Sequence, residues 1–250
     1  MNNIVNFPLP FFILAFFVLW VSAVVGAVIR KRFGPLPKEE RDDFVIVQGA
    51  SLTLLGLLIG FTFSMSISRY DLRKNYEESE ANAIGTEYVR VGLLSPAQTA
   101  KVRELLRTYL DLRIRFYTSR RGEALRRINS DTAQVQNEMW SAIQAQAGIQ
   151  PTPILALTVA GMNDVLNAQG YTQAAWWNRI PFEAWVLLVL IAIGCNLMVG
   201  YGAHRRSMLL VVLPLAVSLS FFLIADIESP RGGLVRVQPQ NLMSLAGNLR

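Results

Sequence analysis

Four strongly apolar stretches without a charged side chain constrain the fold of this 250-residue chain more than any other feature. A helix that crosses the hydrocarbon core of a bilayer needs about 20 consecutive apolar residues, because each residue advances the helix by only about 1.5 Å. The stretches that reach this length are residues 11–29, 44–68, 184–203 and 207–225. The sequence therefore predicts an all-α, polytopic membrane protein with four transmembrane helices.

The spacing of these stretches predicts two hairpins and one large insertion. Residues 30–43 separate spans one and two and contain a Gly-Pro-Leu-Pro run, which breaks a helix. Only residues 204–206 separate spans three and four, so these two spans are expected to be antiparallel neighbours. We expect a single domain over residues 1–250, with a helical extramembrane insertion at 69–182 and a polar tail at 226–250.

Helix start and stop signals divide the insertion into four helical segments. Span two has no Gly or Pro between Phe61 and Ile84, so it is expected to continue as one helix to about residue 90. New helices are expected at Ser95-Pro96, after Gly122 and at Thr152-Pro153, since Ser and Thr are good N-caps and Pro suits the first helical position. Apolar residues recur every three or four positions in these segments, which is typical of a helical bundle.

Composition and motif content exclude several classes of function. The only cysteine is Cys195 and the only histidine is His204, which leaves neither a disulfide framework nor a zinc site. The sequence has no His-Glu-x-x-His run, no paired acids inside a span and no glycine-rich phosphate loop. We therefore expect no enzyme, with no catalytic residue, cofactor or metal. The net charge of +6 comes mainly from arginines scattered along helices, so membrane lipid is the expected partner rather than nucleic acid.

Span two carries a regular stripe along one helical face. The residues of the stripe recur every four positions and are Gly49, Thr53, Leu57 and Phe61, with Gly56 and Gly60 as a small-xxx-small pair on an adjacent face. One interpretation is that the glycines mark close helix packing and that the stripe faces a neighbouring helix. The other is a pore: in an oligomer the stripe faces a central axis, and a ring of Phe61 gates by dewetting and presents positive aromatic edges to anions.

Two motifs resemble the bestrophin family of anion channels. Span two carries Gly60-Phe61, then seven residues, then Arg69-Tyr70, where bestrophins carry Gly-Phe, seven residues and Arg-Trp. Directly after the last span, residues 227–232 are Ile-Glu-Ser-Pro-Arg-Gly, which is similar to the Ile-Glu-x-Pro-Phe-Gly of bacterial bestrophins. The motif residues at this second position are Glu228, Pro230 and Gly232. A more specific resemblance, to a bacterial group of bestrophin-like membrane proteins, covers Gly-Phe-Thr-Phe-Ser-Met at 60–65 and Glu-Ala-Asn-Ala-Ile-Gly-Thr at 80–86.

The resemblance implies a homo-oligomeric, chloride-type anion channel, a pentamer in the bacterial inner membrane, which passes small anions through a pore lined by Thr53, Leu57 and Phe61. This sequence departs from the family at the two earlier turns of the stripe, where Leu57 and Thr53 replace aromatic rings, so only Phe61 carries over as a neck residue. The alternative is a non-conducting, membrane-anchored scaffold or sensor whose helical bundle binds partners. Basic residues next to the spans are equally numerous on the two sides, so the charge pattern leaves the orientation open.

Charged residues at the ends of spans two and four are expected to have partners. Arg69 and Tyr70 suit the membrane interface, where an arginine snorkels and a tyrosine lies among the headgroups. Asp226 and Glu228 lie near the negative end of the last helix, which is unfavourable for an acid. Arg231, a basic residue of the insertion or a bound cation are the candidate partners.

Overall fold

The computed structural model describes residues 7–120, 122–147, 152–203 and 208–249. Within these ranges the chain is helical, without strands. The α-helices are α1 (Pro8–Phe33), α2 (Lys38–Arg90), α3 (Pro96–Thr118), α4 (Glu123–Ala147), α5 (Pro153–Trp177), α6 (Phe182–Gly202), α7 (Leu209–Ile227) and α8 (Gln240–Asn248), and a 3-10 turn follows α2 at Val91–Leu93.

Four helices in the described part of the chain are long and apolar enough to cross a membrane. They contain the four predicted spans except for three residues: Ala203 follows the end of α6, Met208 precedes the start of α7, and Ser207 lies outside the described residues together with the predicted turn at 204–206. The prediction of an all-α membrane protein with four spanning helices is confirmed. The uncharged part of α2 ends at residue 68, so we take residues 44–68 as its spanning segment.

The predicted boundaries of the extramembrane helices are also confirmed. α2 is unbroken from Lys38 to Arg90. Thr152 caps α5, because its hydroxyl oxygen accepts a hydrogen bond of 3.2 Å from the backbone amide of Leu155. Ser95 occupies the N-cap position of α3, but its side chain makes no capping hydrogen bond.

By its internal contacts the chain divides into two compact units: Met1–Arg69 with Arg179–Val235, and Tyr70–Asn178 with Arg236–Arg250. We call the first the membrane unit, since it holds the spans, and the second the helical unit. The expectation of a single domain over residues 1–250 remains a prediction.

In the membrane unit, α1 packs most extensively against α6 and α7. The sequence predicted α1 to pair with its neighbour α2, and this prediction is wrong. The physical reason is a close crossing of α1 and α6 at two glycines: a Cβ built on Gly26 would overlap the carbonyl of Leu197, and one built on Gly200 would overlap the carbonyl of Ala23. Small residues allow two membrane helices to approach this closely. The predicted packing of α6 with α7 is observed.

The connection between α1 and α2 is held to the end of α6. Gly34 adopts a positive φ of 84° and ends α1, as the sequence predicted from its Gly-Pro run. The guanidinium of Arg30 donates hydrogen bonds of 3.1 and 2.8 Å to the carbonyls of Tyr201 and Gly202, in the last turn of α6.

The helical unit has its own apolar core. Five of its helical segments each contribute a fully buried aliphatic side chain, and in chain order from α2 to α5 and then α8 these are Ile84, Leu106, Met139, Met162 and Leu242. The buried rings of Tyr109 and Phe116 pack into the same cluster. This unit therefore has a core of ordinary globular character.

Replacing Gly200 with Ala should destabilise the membrane unit, because the new methyl group must displace the backbone of α1 and such overpacking costs about 1–3 kcal/mol. Gly194→Ala, in the same helix, is the matched control, since its built Cβ has no described atom within 4 Å outside its own stretch of helix. Thermal unfolding in detergent should show a lower Tm for Gly200→Ala and no loss for Gly194→Ala. Equal melting temperatures for the two variants would contradict the close crossing.

Candidate pore face and membrane exit

The spanning segment of α2 has one packed face and one exposed face. Leu55, Thr62 and Ser66 are buried, and they recur on the side of the helix that meets the rest of the membrane unit. The predicted pore residues lie on the opposite side: Leu57 is 52% exposed, Phe61 is 61% exposed and Thr53 is also exposed. The structure therefore places Thr53, Leu57 and Phe61 on one face of α2 that the described residues of the chain do not cover.

The glycines of this segment meet nothing within the described chain. A Cβ built on Gly49, Gly56 or Gly60 would have no described atom within 4 Å outside its own stretch of helix. The interpretation that these glycines allow close packing of α2 on another helix therefore does not hold inside one copy. Gly26 and Gly200 differ, because a side chain at either position would overlap the backbone of the neighbouring helix.

On the exposed face, the hydroxyl group of Thr53 is hydrogen-bonded to its own helix. The hydroxyl donates a hydrogen bond of 2.9 Å to the carbonyl of Gly49, one turn earlier. On the packed side, Thr62 and Ser66 donate in the same way to the carbonyls one turn before them, at 2.7 and 3.0 Å. What the face presents outward is thus the apolar side chains of Leu57 and Phe61 between small residues.

At the end of the spanning segment, Arg69 forms an ion pair with Glu228. The Arg69 guanidinium lies 3.3 Å from Oε2 of Glu228, and the same oxygen accepts a hydrogen bond of 3.0 Å from the backbone amide of Ile180. The Glu228 side chain is only 3% exposed, so this pair is largely desolvated. Arg69, at the start of the insertion, is thus an observed partner of Glu228.

Asp226 is satisfied by backbone amides. Its two carboxylate oxygens accept hydrogen bonds of 2.7 Å from Leu234 and 2.8 Å from Val235. The chain after α7 must fold back sharply to reach this position, and a Cβ on Gly233 would overlap the carbonyl of Asp226. Of the motif residues in this segment, Pro230 is buried and Gly232 is exposed.

Tyr70, the motif residue after Arg69, packs against the apolar core of the helical unit and is partly buried. Nearby on α2 lies a polar row, at positions 69, 73, 77 and 80, that the sequence analysis missed. Arg73 donates hydrogen bonds of 3.2 and 3.3 Å to the carbonyls of Ala175 and Asn178 at the end of α5. The spacing of four, four and then three residues along the row places these side chains on one face of the helix, and this spacing could have revealed the row in the sequence.

Two acids of this row hold other helices. Glu77 accepts hydrogen bonds from the Asn241 side chain at 2.7 Å and from the Leu242 amide at 3.0 Å, so it caps the N-terminus of α8.

Glu80 forms a fully buried ion pair with Arg113 of α3 and accepts a further hydrogen bond of 3.2 Å from Thr172 of α5. Burial raises the pKa of the Tyr117 hydroxyl beside this pair, and the nearby Glu80 carboxylate raises that pKa further. The phenol therefore stays protonated, and it donates a hydrogen bond of 3.4 Å to Glu80.

Replacing Arg69 with Gln should lower stability, because Glu228 would remain buried without its cation, which typically costs about 3 kcal/mol or more. Arg127→Gln is the control, since the Arg127–Glu123 pair is exposed and worth less than about 1 kcal/mol. Melting curves should separate the two variants, and Arg69→Gln with Glu228→Gln should regain part of the loss. A double variant that melts below both single variants would contradict the pairing.

Comparisons with known proteins agree with this architecture. The solved structures similar to the chain include two single-substitution variants of a bacterial bestrophin homolog from Klebsiella pneumoniae, each with a TM-score of 0.66. They are 14% and 16% identical to this chain, and each match covers 95% of this chain and 97% of the other. A third structure, described as a membrane protein, is 16% identical with a TM-score of 0.66 over 93% of this chain and 96% of its own.

At this level of identity these structures show a shared fold. No curated protein matches the sequence. The family model described as "Bestrophin-like domain" matches residues 15–242, which include residues of both compact units. The chain therefore belongs to the bestrophin-like family.

Proposed function

We propose that this protein forms an oligomeric anion channel, multi-pass in the bacterial inner membrane, in which α2 of each copy lines a shared pore through Thr53, Leu57 and Phe61. The observation that carries the proposal is the uncovered face of α2. Within one copy this face has no packing partner among the described residues, whereas the opposite face is buried. In this proposal both compact units belong to one functional domain over residues 1–250.

The composition of the exposed face favours protein contact over lipid contact. The face includes several exposed residues that are small or hydroxyl-bearing, namely Gly49, Thr53, Gly56, Gly60 and Ser64. Lipid tails gain little from glycine, but another helix can approach it closely, so small residues are enriched where membrane helices associate. A second copy of the same chain is the partner that places equivalent faces around one axis. The family resemblance suggests five copies.

Two larger side chains of this face suit an apolar constriction. Phe61 and Leu57 are one turn apart, and a ring of phenylalanines at this depth excludes water until the ring widens. The ring edges of phenylalanine carry partial positive charge, so they tolerate a partly dehydrated anion such as chloride better than a cation. Thr53 adds a hydroxyl oxygen one further turn away.

Replacing Phe61 with Ala should raise chloride flux, because the apolar barrier is removed without leaving a polar group unsatisfied. The fold should be little affected, since Phe61 is 61% exposed in one copy. Phe221→Ala is the matched control: Phe221 of α7 is fully buried, and its loss should cost about 3–5 kcal/mol.

Chloride efflux from chloride-loaded vesicles and thermal unfolding in detergent should be measured on the same preparations. Unchanged flux in a Phe61→Ala protein that is itself clearly destabilised would overturn the pore assignment. The scaffold alternative would then be the better explanation of the helical unit.

The oligomer itself can be tested with Gly60→Leu. A Cβ built on Gly60 has no described atom within 4 Å outside its own stretch of helix, so the fold should be preserved, whereas close contact between copies should be lost. Native mass spectrometry in detergent should give a homo-oligomer for the unaltered protein and smaller species for Gly60→Leu. Gly170→Leu, on an open part of α5, controls for a general effect of the larger residue. A monomer for the unaltered protein counts against the proposal.

A further inference from the structure

Glu87 is a buried acid without a hydrogen-bond partner. It lies in the last turn of α2 within the helical unit, and its side chain is fully buried. Neither carboxyl oxygen has a hydrogen-bond partner among the described residues. The other buried acids of this unit differ, since Glu77 is bonded to α8 and Glu80 to Arg113 and Thr172.

A glycine on α5 makes room for this carboxyl group. A Cβ built on Gly161 would overlap Oε2 of Glu87 and would lie 2.6 Å from Nη1 of Arg90. The carboxyl group and the guanidinium therefore both reach the space that a side chain at position 161 would fill. Although they are close, Arg90 donates no hydrogen bond to Glu87.

The charges around Glu87 partly offset one another. Arg90, on the same helix, favours the ionised carboxylate, and Asp164 on α5 disfavours it. On α3, Arg103 and Arg107 are engaged with the ring of the adjacent Tyr88, at 4.7 and 5.4 Å from its centre. Burial is the dominant effect, and it raises the pKa of Glu87 to about 8.

We infer that Glu87 is a proton-binding site of the helical unit: its carboxyl group holds a proton at neutral pH, and deprotonation weakens the contact between α2 and α5. A neutral carboxyl group can be buried without an ionic partner, whereas a carboxylate in the same place needs a hydrogen-bond donor, and no described residue donates one to Glu87. The ligand is a proton, and the site is separate from the proposed pore residues.

The sign of the pH dependence follows from the direction of the shift. In the unfolded chain Glu87 has its ordinary pKa near 4.5, and in the folded chain the value is higher. The stabilising contribution of the bound proton is therefore complete below about pH 4.5 and is lost progressively as the pH rises to about 8. Over this range the folded protein holds more protons at this group than the unfolded chain does.

The test compares the full-length protein with Glu87→Gln in detergent, by thermal unfolding from about pH 5 to pH 9. Glutamine has the shape of the protonated acid but cannot ionise. The Tm of the unaltered protein should therefore fall relative to that of Glu87→Gln, by roughly 5 °C or more at pH 8. Glu78→Gln, at an exposed position of the same helix, is the matched control and should follow the unaltered protein at every pH.

Arg90→Gln gives an independent measurement, because the charge of Arg90 lowers the pKa of Glu87 and its removal should raise that pKa further. The Tm of Arg90→Gln should therefore begin its fall at the same low pH as that of the unaltered protein and continue to fall to a higher pH.

Two results would overturn the inference. If Glu87→Gln lowers the Tm at pH 7 to 8, or leaves the pH profile unchanged, Glu87 is ionised in the folded protein and Arg90 compensates its charge. Neither readout depends on ion flux, so failure of the channel proposal would not affect this test.

Discussion

The helical unit depends on the buried ion pair between Glu80 and Arg113. Two charges removed from water cost free energy that their mutual attraction offsets only when further hydrogen bonds complete the site. Here Thr172 supplies such a bond, so one carboxylate connects α2, α3 and α5. Arg73 and Glu77, on the same face of α2, hold the end of α5 and the start of α8. The positions of α3, α5 and α8 are thus tied to charges on α2.

The two halves of α2 each have a buried face and an exposed face, but the residues on these faces differ between the halves. In the charged half, the inward face carries ions that are matched by donors or acceptors, apart from Glu87. In the spanning half, the inward face is closed by Leu55 and by hydroxyl groups bonded to their own backbone, while the outward face is left to glycine, Leu57 and Phe61. The helical repeat therefore separates a face that packs within the chain from a face that the described residues leave exposed.

Local signals in the sequence predicted much of the fold. The apolar stretches, the lack of Gly or Pro between Phe61 and Ile84, and the starts of α3, α4 and α5 are local features of the sequence, and the predicted boundaries are observed. Packing partners were harder to predict, because the crossing of α1 and α6 depends on Gly26 and Gly200, which are far apart in sequence. The residue spacing predicted the candidate pore face. The sequence could not show that Glu77 has a hydrogen-bond partner and Glu87 has none, because the partner of Glu77 is the amide of Leu242, far away in the chain.

The hydrogen bonds between Glu77 and the start of α8 can form only late in synthesis of the chain. Glu77 is synthesised before α3, whereas Asn241 and Leu242 follow α7, so the two ends of this contact emerge from the ribosome at well-separated times. Leu242 also fills the core of the helical unit. This core is therefore complete only after the last membrane helix has been translated, and until then Glu77 and the apolar surface beneath α8 are open to water and to chaperones.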